Sequence, residues 1–512
     1  MAEYVLAIDG GTESVRVGLF DRSGRLMAKA AHSYGTAYPR SGWAEQDPDE
    51  WWAALASASR ACLAAASISG KDVAGISAVA TTCTLVPLGT DGRHVRPALL
   101  WMDVRAAQQA ERVSQTGHAA LSYCRAGCSA EWMLPKAMWL REHEPQVYAR
   151  TSHFAEYLDW LMYRFTGRLV LNRDTATQRW FYNCRTWDWP ADLFASVGLP
   201  DLTDKIPSEI VPIGARVGSI TPEAAEALGL TAGTPVFEGG GDAFVALLGL
   251  NVTRPGKVGM ITGSSTVVAA FAADEVHGAG VFGGFPDAVV PGLWLVEAGQ
   301  ASTGSMLAWF RSLMAQDLPA DTAFVALDDE AAAVAPGSNG LIVLDSFQGN
   351  RTPYTDASAR GAIWGLSLHT TRAHIFRAMM EGIAYGTRHI LDVFAHLGCR
   401  SSELYVCGGA THSNLFLQIL TDVCSLPLVV TEVAEASLLG GAIVAAAGLG
   451  MHSDITAASN AMVRPRKTYE PGAQQHTYLP YFELYKQTYP QLRSLMHTMS
   501  RHESSERDNS RR

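Results

Sequence analysis

No run of 18 or more apolar residues occurs in the 512-residue chain, so no segment is built to cross a bilayer as a helix. A basic excess is also missing. Lys and Arg total 40 against 50 Asp and Glu, for a formal net charge of −10. A protein that neutralises a nucleic-acid backbone needs a basic face, so that class of partner is excluded. Cysteines are few and scattered, at 62, 83, 124, 128, 184, 399, 407 and 424. Cys124 and Cys128 form the one close pair, and no second pair stands by to complete a zinc site, so buried reduced thiols are expected. The opening MAEYVLAIDGG lacks a basic n-region and an apolar h-region and enters a strand at once, which predicts a cytoplasmic protein. No GxxxxGK[ST] occurs, so any phosphate site is not a P-loop. What is present is ordinary globular composition, 48% apolar and 18% charged. At roughly 100–200 residues per domain, the length suggests two to four domains.

The first 35 residues read as antiparallel strands: YVLAIDG (4–10), SVRVGLFD (14–21) and RLMAKAAH after a turn at Asp21–Gly24. A helix starts at Asp47, with Pro48 in the first helical position and Glu50 placed for a capping box. The strand VAGISAVA (73–80) follows. About 250 residues on, KVGMITGSSTVVAAF (257–271) repeats the strand, polar turn, strand of AIDGGTESVRVGLF. Two such openings imply two similar α/β halves facing each other, with helices expected at 376–397, 413–424 and 436–449. The tail from residue 500 is polar and charged throughout, and its composition predicts disorder.

Four turns carry candidate chemistry. In Asp9-Gly10-Gly11-Thr12-Glu13-Ser14, a carboxylate closes an apolar strand; the glycines let backbone N–H groups approach an anion, the hydroxyls add donors, and Asp9 can hold Mg²⁺ through water. Thr262-Gly263-Ser264-Ser265-Thr266 is the matching turn, rich in donors and without charge, which suits the far side of a polyphosphate. In Glu238-Gly239-Gly240-Gly241-Asp242, three glycines precede one carboxylate at the start of a helical run, and phosphoryl transfer to a hydroxyl needs one carboxylate to accept the proton. Gly408-Gly409-Ala410-Thr411-His412-Ser413-Asn414 is a strand-to-helix turn that could pack against adenosine.

These segments resemble the FGGY carbohydrate kinases of the actin/Hsp70/hexokinase superfamily. The stretch from Gly361 through Gly365-Leu366 and His374-Ile375 to Ala378-Met379-Met380-Glu381 fits the family's second signature at every constrained position. The first signature is partly kept: Lys136, Trp139, Leu140, Glu142 and His143 fit, whereas Glu131 and Met133 depart from it. The resemblance covers residues 4 to about 480 and implies two actin-like (ribonuclease H-like) α/β ATPase domains, 1–245 on the sugar side and 246–485 on the nucleotide side, with 500–512 a disordered tail. It implies ATP and Mg²⁺ as cofactors. Asp242 corresponds to the catalytic base, which also touches sugar and metal, and Asp9 to the Mg²⁺-associated aspartate. Gly11, Thr12 and Glu13 fall on one phosphate loop, Thr262, Gly263 and Ser264 on the other, and Gly408, Gly409 and Asn414 in the adenosine segment.

For the acceptor, AVATTCTLVPL lacks the Arg-Glu pair of glycerol kinases and the Gln-Met-His-Gly of xylulokinases. Thr82-Cys83 is similar instead to ribulokinase-like members. Trp101-Met102-Asp103-Val104-Arg105 resembles a segment that sets an Asp on sugar hydroxyls; the alternative is a capping Asp with a structural Arg partner. Any one of Trp132, Trp139, Trp160 and Trp180 is more readily core than a stacking platform. The reading is an ATP-dependent kinase of a small ketose, foremost a pentulose such as ribulose, with a small-molecule sugar as partner, no nucleic acid, no membrane, and room for a homodimer. A xylulose, pentitol or tetritol kinase and a non-catalytic actin-like ATP-binding protein are the alternatives.

Overall fold

The structure is a computed structural model that describes residues 3–123 and 127–509. Two twisted sheets form the frame. The first runs Arg216–Ser219, Pro235–Phe237, Val73–Ala80, Tyr4–Gly10, Ser14–Asp21, Leu26–Ser33. The second runs Gly283–Pro286, Trp294–Gln300, Thr266–Ala272, Lys257–Thr262, Glu403–Gly408, Leu428–Thr431, Pro465–Tyr469. Each sheet is built around an antiparallel hairpin whose opening strand also pairs in parallel with a later strand. Tyr4–Gly10 pairs with Val73–Ala80, and Lys257–Thr262 with Glu403–Gly408. The repeat seen in the sequence is therefore one of topology.

The opening strands read as continuous apolar runs because they are covered on both faces. Between the sheets lies a third apolar layer of Val5, Ala7, Val79, Phe244–Leu248 and Leu438–Ala446. Its centre is the helix Ala436–Gly448, which is apolar all round and rich in Gly and Ala. A Cβ on Gly440 would stand 2.1 Å from the Val245 carbonyl oxygen, and one on Gly249 would stand 2.0 Å from that of Ala436. Only missing side chains let the helices Asp242–Gly249 and Ala436–Gly448 approach so closely. That approach brings Ser437 to Asp9 across the boundary between the halves.

The expected helices are present as Arg372–His396, Asn414–Cys424 and Ala436–Gly448. Two local expectations are corrected. Asp47 caps its helix by accepting from the Asp49 amide at 2.9 Å, but Glu50 completes no capping box, because its carboxylate turns to the Gly35 amide at 3.4 Å. The closing helix Gln475–Asn509 also runs through the segment expected to be disordered from 500; residues 510–512 lie outside the described residues. Six cysteines, Cys62, Cys83, Cys184, Cys399, Cys407 and Cys424, are buried thiols. Cys124 of the close pair lies outside the described residues. Among the described residues no helix is long and apolar enough to cross a membrane.

Candidate active site

Between the two hairpins opens a cavity of about 370 Å³, within the range of small-molecule sites. Thr12 from the first hairpin turn and Thr262, Gly263, Ser264 and Ser265 from the second line it, with Asp242, Thr82 and Cys83. Residues far apart in the chain thus share one space because each lies at or shortly after the end of a strand of its sheet.

Asp9 ends the first opening strand and is fully buried. One carboxylate oxygen, Oδ2, accepts from Arg16 Nη2 at 2.8 Å and from Ser437 Oγ at 2.5 Å. The other, Oδ1, is buried without a partner. Burial raises the Asp9 pKa against the pull of Arg16. Asp242 opens its helix, where Oδ1 accepts from the Ala243 amide at 2.7 Å. Burial, and then the charge of Asp9, push its carboxyl up to about 6. Two carboxylates close enough to repel, one with an orphaned oxygen, suit a hydrated divalent cation.

The Thr12 hydroxyl accepts from Trp101 Nε1 at 2.9 Å, which leaves its proton free for a ligand. Gly11 is buried and its carbonyl accepts from Tyr34, while Glu13 is exposed. In the second turn, the Gly263 amide donates to the Ser265 carbonyl at 2.8 Å, and a Cβ on Gly263 would meet nothing closer than 3.6 Å. The Thr262 hydroxyl donates to the Cys407 carbonyl at 2.6 Å and accepts from the Ala410 amide at 3.0 Å. It is a strut that ties the second hairpin to the 408–412 turn. Gly408 has φ 84°, and a Cβ there would sit 1.9 Å from the Thr262 carbonyl oxygen, so the turn requires glycine. Gly409 is exposed with open space beside it, and Asn414 accepts from Tyr469 at 2.5 Å. Gly11, Glu13, Gly408, Gly409 and Asn414 do not line the central cavity.

Asp103 is where the expectation fails. It is fully buried outside the cavity. Its carboxylate is filled by the Ala44 amide at 2.7 Å, the Arg105 amide at 3.0 Å and the Arg105 guanidinium at 2.7 Å. Arg105 in turn bonds Glu45 at 2.7 Å and lies 3.8 Å from the Trp43 ring centroid. No lone pair is left for a sugar, and the structural alternative holds. Trp139, Trp160 and Trp180 are core, whereas Trp132 reaches the cavity.

Among the residues missed by the sequence are Arg179 and Glu297. Arg179 ends the helix Arg173–Arg179, and its Nη2 lies 3.0 Å from the Glu297 carboxylate on the strand Trp294–Gln300 of the other half. Both line the cavity. The Arg179 guanidinium stands 5.5–5.7 Å from the ring centroids of Phe244, Phe282 and Trp132, and its Nε and Nη1 have no partner. Each is a lone charge inside an apolar or aromatic run, QRWFY and WLVEAG, and a charge there is rare without a task. Cys83 closes this end of the cavity in a left-handed backbone conformation, φ 64°, with its amide on Glu156 at 2.7 Å and its carbonyl on Lys136 Nζ at 2.6 Å. Burial lowers the Lys136 pKa to about 8.

Comparison with known proteins agrees with this arrangement. The N-terminal domain of the FGGY family of carbohydrate kinases matches residues 4–249 and its C-terminal domain residues 258–449. A ribulokinase of Anoxybacillus flavithermus is 32% identical over 92% of this chain and 91% of its own. A xylulose kinase of Bacillus subtilis is 26% identical over 96% and 98%. The crystal structure of xylulose kinase from Rhodospirillum rubrum superposes with a TM-score of 0.87 at 27% identity, covering 96% of this chain and 100% of that one. The fold is the two-domain actin-like one.

Proposed function

The chain belongs to the FGGY family of carbohydrate kinases, and from that premise we propose that it phosphorylates a terminal hydroxyl of a pentulose, ribulose before others. It is a sugar kinase with ATP as phosphate donor and a small sugar as acceptor. The observation that carries the finer reading is that Asp242 lines one cavity together with two different sets of groups. One set is the hydroxyl and backbone donors of the two turns, and the other is Thr82, Cys83, Trp132, Arg179 and Glu297. The relatives named ribulokinase support ribulose as the first acceptor to try.

In this reading the halves divide near residue 245. Gly11, Thr12, Glu13, Thr262, Gly263 and Ser264 flank the phosphates, and Gly408, Gly409 and Asn414 border the nucleoside at the rim. Arg179 Nε and Nη1 donate to sugar oxygens while Glu297 accepts from a hydroxyl, so the pair reads both polarities of a polyol. Asp242 takes the proton of the attacking hydroxyl as its oxygen bonds the γ-phosphorus of ATP and the bond from that phosphorus to the bridging oxygen breaks, which releases ADP. Asp9 through its open oxygen, and Asp242 through water, would hold Mg²⁺. When bound, Mg²⁺ neutralises charge on the phosphate oxygens. Positioning and exclusion of water supply the remainder of the rate.

An ADP-release assay over ribulose, xylulose, pentitols, tetritols and glycerol tests the proposal. The highest kcat/KM is expected with ribulose. A tenfold preference for another acceptor would move the assignment to that acceptor, and ATP turnover without sugar stimulation would reject it.

A further inference from the structure

The residues that fix the proposed base in place are not on its own turn. Gly239, Gly240 and Gly241 have no side chains with which to hold themselves, and the space around them admits none. A Cβ would lie 1.7 Å from the Ala78 carbonyl oxygen at Gly239 and 2.4 Å from Thr82 Cγ2 at Gly241. Their buried peptide groups need partners, and those partners decide where Asp242 sits. The Gly239 carbonyl accepts from Asn172 Nδ2 at 2.9 Å. The Gly240 carbonyl accepts from the Ala80 amide at 3.2 Å. The Gly241 amide, one residue before the base, donates to Asp174 Oδ2 at 2.9 Å.

Asn172 and Asp174 are both fully buried and neither lines the cavity. Asn172 caps the helix Arg173–Arg179, accepting from the Thr175 amide at 3.2 Å, and Asp174 lies in its first turn. Asp174 Oδ1 accepts from Gln178 Nε2 one turn on. The same seven-residue helix delivers Arg179 to the cavity at its other end. One short rigid element therefore sets both the base and a cation that lines the cavity.

We propose that Asp174 is a positioning residue for Asp242: its carboxylate oxygen on the Gly241 amide fixes the base relative to the acceptor held by Arg179. The role rests on the reading of Asp242 as base. Asp174 touches neither substrate, so its loss acts on turnover rather than on binding. A misplacement of about 1 Å at a reacting group costs on the order of 10²-fold in rate.

The test compares Asp174→Ala and Asp174→Asn, with Asp242→Asn as reference, using ribulose and Mg·ATP. Asn keeps an oxygen for the Gly241 amide; Ala does not. For Asp174→Ala, kcat is expected to fall by roughly 10- to 100-fold while both KM values stay within about threefold. Asp174→Asn should keep at least about half of the wild-type kcat, as an acceptor oxygen is retained. Amide hydrogen exchange over 236–246, which needs no acceptor, should quicken in Asp174→Ala and not in Asp174→Asn. Unchanged exchange and kcat in Asp174→Ala would overturn the proposal. So would equal losses in Asp174→Asn, which would make the charge rather than the contact decisive. Retained turnover in Asp242→Asn would reject the base assignment and this role with it, whereas a steep loss there beside an unaffected Asp174→Ala rejects this role alone.

Discussion

The two hairpins share a topology and differ in chemistry. The first closes on Asp9, whose carboxylate is held by Arg16 of its own hairpin and Ser437 of the other half. The second closes on Thr262, Gly263 and Ser264, whose polar groups are hydroxyls and peptides. A duplicated scaffold thus offers a charged face on one side of the cavity and a neutral one on the other. A polyphosphate with its cation needs just this division: a carboxylate where the cation sits, and uncharged donors where phosphate oxygens approach, since a second carboxylate there would repel them.

The comparison breaks most visibly at Asp9. Asp9→Asn keeps the shape and removes the charge. We expect kcat to fall by at least about 10²-fold, the scale of losing one preorganised electrostatic group. The Mg²⁺ concentration for half-maximal rate should rise. Ser264→Ala, in the matching turn, should change kcat by no more than about fivefold, since a neutral hydroxyl hydrogen bond is worth about 1 kcal/mol. Steady-state rates over a Mg²⁺ titration decide it. Equal losses at the two positions would erase the proposed division of labour.

The effect at Asp103 is of another kind and belongs to the fold. Asp103→Ala leaves the buried Arg105 guanidinium without its main partner, a change that costs about 3–5 kcal/mol when one half of a buried ion pair is removed. Chemical denaturation should show that loss, and any surviving enzyme should bind ATP and sugar alike. A selective loss of sugar affinity in a stable variant would return Asp103 to the acceptor site.

Asp103 also shows how far a sequence reaches. The hairpins, the glycine turns and the place of Asp242 at the start of a helix were legible because strand periodicity and glycine demands are local. The family was legible because its motifs are contiguous. Asp103 misled because a carboxylate aimed at a sugar and one aimed at its own Arg two residues on have the same local pattern. Arg179 and Glu297 escaped because they are 118 residues apart and meet only when the halves close on each other. Ser437 escaped likewise: nothing in ASLLGGAIVAAAG announces a hydroxyl destined for Asp9.

Glycine sharpens the hairpin comparison more gently. A Cβ on Gly11 meets Arg16 Nη2 and the Ser14 carbonyl oxygen at 3.1 Å, whereas one on Gly263 has only the Ser265 carbonyl oxygen at 3.6 Å. Gly263→Val should therefore leave the thermal midpoint unchanged and raise the ATP KM by about tenfold, or 1.4 kcal/mol. Gly11→Val should lower the midpoint as well by disturbing the Arg16–Asp9 pair. Calorimetry and ATP titrations read the two effects separately, and a stability loss at Gly263 would show that the second turn is as tightly packed as the first.

The last effect is one of pH and lies beside Cys83 in the first half. Glu156 is buried, with one oxygen on the Cys83 amide at 2.7 Å and the other without a partner. Burial, and then the neighbouring Asp159, push its carboxyl up to about 8, while the Cys83 amide, Arg179 and Lys136 pull the other way. Asp159 is itself pushed up to about 7 by burial. The buried glutamate of the second half, Glu381, has instead an arginine at 2.9 Å, Arg377 Nε. A carboxyl whose pKa is higher folded than unfolded binds more protons in the native state, so stability falls as pH rises. The contribution is whole below the unfolded value near 4.5 and is lost as pH climbs through about 8. Glu156→Gln is neutral throughout and keeps an oxygen for the Cys83 amide. Its melting temperature should match that of the wild type at pH 5 and exceed it at pH 8, whereas Glu381→Gln, which strands Arg377, should lower the midpoint at both. A Glu156→Gln curve parallel to the wild type across that span would mean that Glu156 is ionised in the fold, held so by Lys136 and Arg179.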